Sequence, residues 1–97
     1  MPEVVVLEFE APDAVSLYNR VNKILSGDSD IWELPPGMIS HVAGEAGDKL
    51  IVVEVWGSQA DQQAFMDSAL GPALARANAP QPARVEWFNH AGDAHRH

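Results

Sequence analysis

The stretch Leu50-Ile51-Val52-Val53-Glu54-Val55-Trp56-Gly57-Ser58-Gln59-Ala60-Asp61-Gln62-Gln63-Ala64-Phe65 decides the fold. Its first six residues are β-branched and aliphatic with one acid, which suits a pleated, buried strand, and Trp56 closes it. Gly57 lets the chain turn. Ser58 is placed to cap a helix by accepting a hydrogen bond from the third helical N–H, and Asp61 stands where a capping box carries its acid. Ala60, Ala64 and Phe65 then begin an apolar helical face. A large ring with one N–H donor therefore lies at a strand–helix junction, where ligand pockets tend to form. The competing reading is a core Trp that plugs the helix end.

Working outward, Val4 to Glu10 reads as a first strand that Pro12 ends, and Asp13 is the expected N-cap of the next element. Val15, Leu17, Tyr18, Val21, Ile24 and Leu25 recur at helical spacing, so a helix is expected as far as Leu25, stopped by Ser26-Gly27-Asp28. The linker to Gly37 is turn-rich yet carries Ile31, Trp32 and Leu34. Met38 to Ala43 reads as a second strand and Glu45-Ala46-Gly47-Asp48 as a hairpin turn, which makes strands two and three antiparallel neighbours. A second helix is expected from about Ser58 to Ala77, with a kink or break at Gly71-Pro72. Ala79-Pro80-Gln81-Pro82 is an extended connector, and Arg84 to Phe88 a fourth strand. The tail from about residue 92 is polar and expected to fray.

The element order is β-α-β-β-α-β. The fold class is therefore α+β, ferredoxin-like: a four-stranded antiparallel sheet with two helices on one face, in a single domain over residues 1–97. Both sheet faces are apolar, since strand one sends Val5, Leu7 and Phe9 one way and Val4 and Val6 the other, while strand three alternates Ile51, Val53 and Val55 with Leu50, Val52 and Trp56. Two helices cover one face only. A second copy, packed face to face across a two-fold axis, is the simplest cover for the other, so a homodimer through the sheet face is expected.

Six basic and fourteen acidic residues give a net charge of −8, which disfavours nucleic acid and anionic membrane surfaces as partners. With no cysteine there are no disulfides, thiolate ligands or cysteine nucleophile. The N-terminal stretch shows neither a charged leader region nor a small-residue cleavage site, and no apolar run approaches ~20 residues, so the expected location is cytoplasmic.

The candidate chemistry centres on His41, the one histidine in a predicted core element. Depending on hairpin register it lies opposite Val52, Val53 or Glu54, and one register sets imidazole beside carboxylate on the face that carries Trp56. A carboxylate there fixes the ring's tautomer, as a general base requires, and a structural His–Glu pair is the alternative. Tyr18 is in step with Val15, Val21 and Leu25 and is expected to face the sheet. Asn89 and His90 end strand four, where they either reach the same cavity or lie in solvent. Trp32 is read as a lid or plug. No pair of residues has diagnostic metal-ligand spacing, and there is no phosphate loop or nucleophile elbow.

The element order, the doubly apolar sheet and the run Glu54-Val55-Trp56-Gly57-Ser58 followed by Phe65 resemble the dimeric α/β barrel superfamily and, within it, the antibiotic biosynthesis monooxygenase family. Gly37 to Gly44 and Leu70-Gly71-Pro72-Ala73-Leu74 look like a small bacterial branch of it. The resemblance implies that Trp56 is the pocket tryptophan and Glu54 the acid two before it. It also implies a hydrophobic, aromatic or polyketide-like substrate and oxygenation without cofactor. The pocket histidine of haem-degrading members would fall near Met66, and their strand-one asparagine has no counterpart, so haem degradation is not expected. Anthrone-oxidising members use an asparagine near the pocket Trp, which strand three also lacks. The combined expectation is a small homodimeric enzyme with His41 and Glu54 catalytic, Trp56, Tyr18, Trp32, Phe65 and Asn89 binding substrate, and no cofactor or metal. Cyclisation or isomerisation by a His base, and non-catalytic ligand binding or interaction, are the alternatives.

Overall fold

A computed structural model describes residues 2–27 and 34–92. Trp32 and the tail beyond residue 92 lie outside the described residues. The strands are β1 (Glu3–Glu10), β2 (Met38–Ala46), β3 (Lys49–Trp56) and β4 (Arg84–Asn89), and the first helix is α1 (Ala14–Leu25). They form one antiparallel sheet in the order β2-β3-β1-β4, the ferredoxin-like arrangement, with the helices on one face.

The core is built from strand alternation. On the helix-bearing face Val5, Leu7 and Phe9 of β1 stand opposite Glu54, Val52 and Leu50 of β3, and these meet Leu17 and Val21 of α1. On the other face Val6, Ile51, Val53 and Val55 run beside Val42 and Phe88, which are 65% and 49% exposed. That face is polar at one end. There the Lys49 ammonium lies 2.8 Å from the Glu8 carboxylate, and their hydrogen bond holds the Glu8 carboxyl below its ordinary value and raises that of Lys49.

One local feature corrects the sequence expectation and a second refines it. The hairpin turn is shorter than Glu45 to Asp48: β2 runs on to Ala46, which pairs with Lys49, leaving a two-residue Gly47-Asp48 loop. Gly47 has φ +60, the left-handed value that the first central position of a tight II′ hairpin turn requires and that Gly adopts without strain. The second helix breaks at Gly71-Pro72 as expected, and the break takes the form of a π-helical segment before it. It divides into α2 (Gln59–Phe65), a π-helical segment (Met66–Leu70) and α3 (Gly71–Arg76). Pro72 has no N–H and its ring crowds the carbonyl four residues back, so the helix widens, and Gly71 N–H bonds the Met66 carbonyl five residues earlier. At the start of α2 the expected cap forms, with the Asp61 N–H donating to Ser58 Oγ at 3.2 Å. Asp13 occupies the N-cap position of α1 without making a side-chain cap.

A Cβ on Gly71 would stand 2.8 Å from the Met66 carbonyl oxygen. Gly71→Ala is therefore expected to lower stability by about 1–3 kcal/mol, because backbone must move to admit the methyl group. Urea denaturation checks this, and an unchanged midpoint would contradict the packing described.

Candidate functional site

The two-residue turn sets the register of β2 against β3. With Ala46 opposite Lys49, His41 stands opposite Glu54 on the helix-bearing face. Beyond it the register slips between Met38 and Ser40, so Ile39 is the extra residue of a bulge and is 55% exposed. The bulge lets Met38 return to the core face opposite Trp56 although it lies three residues from His41.

Glu54 is 3% exposed and would be costly as a buried charge if unpaired. Both of its oxygens are engaged. Trp56 Nε1–H donates to Oε1 at 3.0 Å, and His41 Nδ1 lies 3.0 Å from Oε2. Indole N–H is only a donor, so Oε1 accepts, and an ionised carboxylate is acceptor-only, so His41 Nδ1 carries the proton. With the ring neutral, His41 Nε2 is an acceptor and the Tyr18 hydroxyl, 2.8 Å away, donates to it. The Tyr18 and His41 rings lie nearly parallel, 20° apart, with centroids at 5.8 Å. The outcome is one hydrogen-bonded chain, Trp56–Glu54–His41–Tyr18, drawn from β3, β2 and α1.

Tyr18, His41 and Glu54 border a cavity of about 50 Å³ between α1, the sheet and the second helical region. Its walls are otherwise mainly apolar, with Phe9, Leu17, Val52, Phe65, Leu70 and Leu74 among them. A water needs about 10–15 Å³ on such a measure, so the space takes a few small molecules or the reacting end of a larger one. Among the described residues no group of three or more His, Asp or Glu side chains could hold a metal ion.

Of the residues singled out in the sequence, Tyr18, His41, Glu54 and Phe65 meet at this cavity. Trp56 is 0% exposed and is not among the lining residues; it stands behind Glu54, with its ring 5.8 Å from that of Phe65. Asn89 is not brought to the cavity. It is exposed at the outer end of β4, opposite Glu3, whose carboxylate accepts from Gln59 at the start of α2. Trp32 lies outside the described residues. The sequence reading missed Asn22, which also lines the cavity. Its position four residues after Tyr18, on the same helical stripe, was the available signal.

No protein-family model matches the sequence, and no curated protein matches it. Solved structures do match in fold. Rv0793 from Mycobacterium tuberculosis is 19% identical, with 98% of this chain and 100% of that one covered and a TM-score of 0.68. NE2512 from Nitrosomonas europaea, a protein of unknown function, is 15% identical, with 99% and 95% covered and a TM-score of 0.69. SnoaB from Streptomyces nogalater, described as a cofactor-independent oxygenase, is 16% identical, with 95% of each chain covered and a TM-score of 0.62. A putative antibiotic biosynthesis monooxygenase from Chloroflexus aurantiacus is 13% identical, with 98% of each chain covered and a TM-score of 0.66, so the chain has the fold seen in proteins of that description.

Trp56→Phe removes the N–H that holds Glu54 Oε1 and leaves unfilled space. The expected loss is about 2–4 kcal/mol, combining a charge-assisted hydrogen bond with lost packing. Chemical denaturation measures it, and a loss below about 0.5 kcal/mol would mean that solvent or another group satisfies the carboxylate equally well.

Proposed function

We propose that this chain is a homodimeric, cofactor-independent oxygenase acting on a small, hydrophobic, enolisable molecule. The observation that carries the reading is the His41–Glu54 pair, set at an apolar cavity with its tautomer fixed for accepting a proton at Nε2. The likeness to SnoaB, itself described as a cofactor-independent oxygenase, supports oxygenation as the outcome. Chemistry of this kind asks little of the protein beyond proton transfer and exclusion of water. Loss of a proton from a CH2 beside a carbonyl leaves a carbanion, which reduces O2 and combines with it as a peroxide. Protonation of the peroxide and loss of the second C–H proton break the O–O bond. One CH2 becomes C=O, and the other oxygen atom leaves as water.

The cavity is smaller than the ~300 Å³ or more of ordinary ligand sites. A multi-ring substrate would therefore need side chains at the cavity to move, whereas a one-ring ketone fits with less rearrangement. Oxygen uptake with a panel of enolisable ketones of one to three rings tests the reading. Turnover by the parent and a fall of about 100-fold or more in His41→Gln are expected. Hydrogen exchange at the substrate carbon without oxygen uptake would favour isomerisation or cyclisation by the same base. Saturable binding with neither would leave a ligand-binding protein.

The second copy is part of the proposal because Val6, Val42, Ile51, Val53, Val55 and Phe88 share the sheet face that none of the described helices covers. Burial of such a face is worth roughly 25 cal/mol per Å² before the costs of association. Light scattering at micromolar concentration is expected to give twice the 10.5 kDa chain mass, and Val6→Asp to shift the population toward the single chain. A parent mass near 10.5 kDa would refute the dimer.

A further inference from the structure

We infer that Tyr18, rather than His41, is the residue that exchanges the proton with the substrate, and that His41 and Glu54 act through its phenol oxygen. The inference rests on the proton-abstraction reading above. Its basis is the occupancy of the hydrogen-bonding atoms. His41 borders the cavity, but Nδ1 is committed to Glu54 and Nε2 to the Tyr18 hydroxyl. A substrate C–H could reach the Nε2 lone pair only by displacing that hydroxyl. Tyr18 lines the same cavity, and its oxygen has acceptor capacity left after donating its one proton.

The step balances without any further reactant. As the substrate C–H bond breaks, its proton moves to the Tyr18 oxygen while the Tyr18 O–H proton moves to His41 Nε2. Tyr18 remains a neutral phenol, His41 becomes an imidazolium facing the Glu54 carboxylate, and the electron pair stays on the substrate carbon. Run in reverse, the chain delivers a proton through the same oxygen, as protonation of the peroxide requires. The Trp56 N–H keeps Glu54 oriented throughout, which makes Trp56 a positioning residue. Full separation of charge onto a phenolate is avoided, because the proton leaves Tyr18 only as another arrives.

Tyr18 is the chain's single tyrosine, so fluorotyrosine supplied during expression labels this position alone. Fluorination makes a phenol more acidic while preserving its shape. Exchange of the α-hydrogens of 2-tetralone for deuterium, measured anaerobically, isolates proton abstraction from oxygenation. Expected are exchange above buffer by the parent, losses of about 100-fold in both Tyr18→Phe and His41→Gln, and a pH profile displaced to lower pH in the fluorotyrosine protein. If Tyr18→Phe exchanges like the parent while His41→Gln does not, His41 acts directly: the inference fails and the proton-abstraction reading stands. No exchange by the parent would overturn both for this class of ketone. An undisplaced pH profile with Tyr18→Phe impaired would assign Tyr18 a structural role and overturn the inference. Independently of any substrate, long-range proton–nitrogen NMR is expected to show His41 as the Nδ1–H tautomer at neutral pH, assigned by its disappearance in His41→Gln. An Nε2–H tautomer would overturn the relay, since the ring would then donate to Tyr18 instead of accepting from it.

Discussion

The buried Glu54 carboxylate is the constraint around which the site is arranged. An ion at 3% exposure must be given donors, and the fold gives one from each direction: indole N–H from its own strand and imidazole N–H from the neighbouring one. The demand propagates. Trp56 cannot turn away from Glu54 without orphaning an oxygen, His41 cannot flip its ring without losing both Glu54 and Tyr18, and Tyr18 is thereby fixed on α1 at the edge of the cavity. Hydrogen bonds to a charge are worth roughly twice neutral ones, so this chain orders side chains from three elements where apolar packing alone would leave them freer.

Replacing such buried polar groups by well-packed apolar side chains is often neutral or stabilising, because burying a charge is costly. The polar chain is instead confined to one wall of an otherwise greasy space. That arrangement suits proton transfer: the surrounding walls are mainly apolar, Glu54 holds the neutral His41 ring in one tautomer, and the Tyr18 oxygen and His41 Nε2 stand 2.8 Å apart.

The helices contribute through an irregularity. Leu70 and Leu74, on either side of the Gly71-Pro72 break, both line the cavity. A regular helix advances about 100° per residue, and the extra residue in the π-helical turn changes which side chains face the sheet. Absence of a Cβ at Gly71, where Met66 O would lie 2.8 Å away, makes this geometry possible.

The β-α-β-β-α-β order was legible because its signals are local: alternating apolar residues, a Ser58 cap, Gly and Pro as breakers. The doubly apolar sheet was equally plain from strand alternation. The break at Gly71-Pro72 was visible, although its resolution as a π turn was not, since that depends on how the carbonyls freed by proline find partners. At the site, sequence alone named His41, Glu54, Trp56 and Tyr18 but left three registers open for His41. One residue of turn length separates them, and a one-residue slip would send His41 to the opposite face. Only tertiary structure decided among them, through a two-residue turn at Gly47-Asp48 and a bulge at Ile39 that brings Met38 back to the core. Tertiary packing also decided which aromatic meets the cavity. A strand end next to a helix suggested Trp56, but the carboxylate's need for a donor holds the indole behind Glu54, and the helical position of Tyr18 brings the phenol forward.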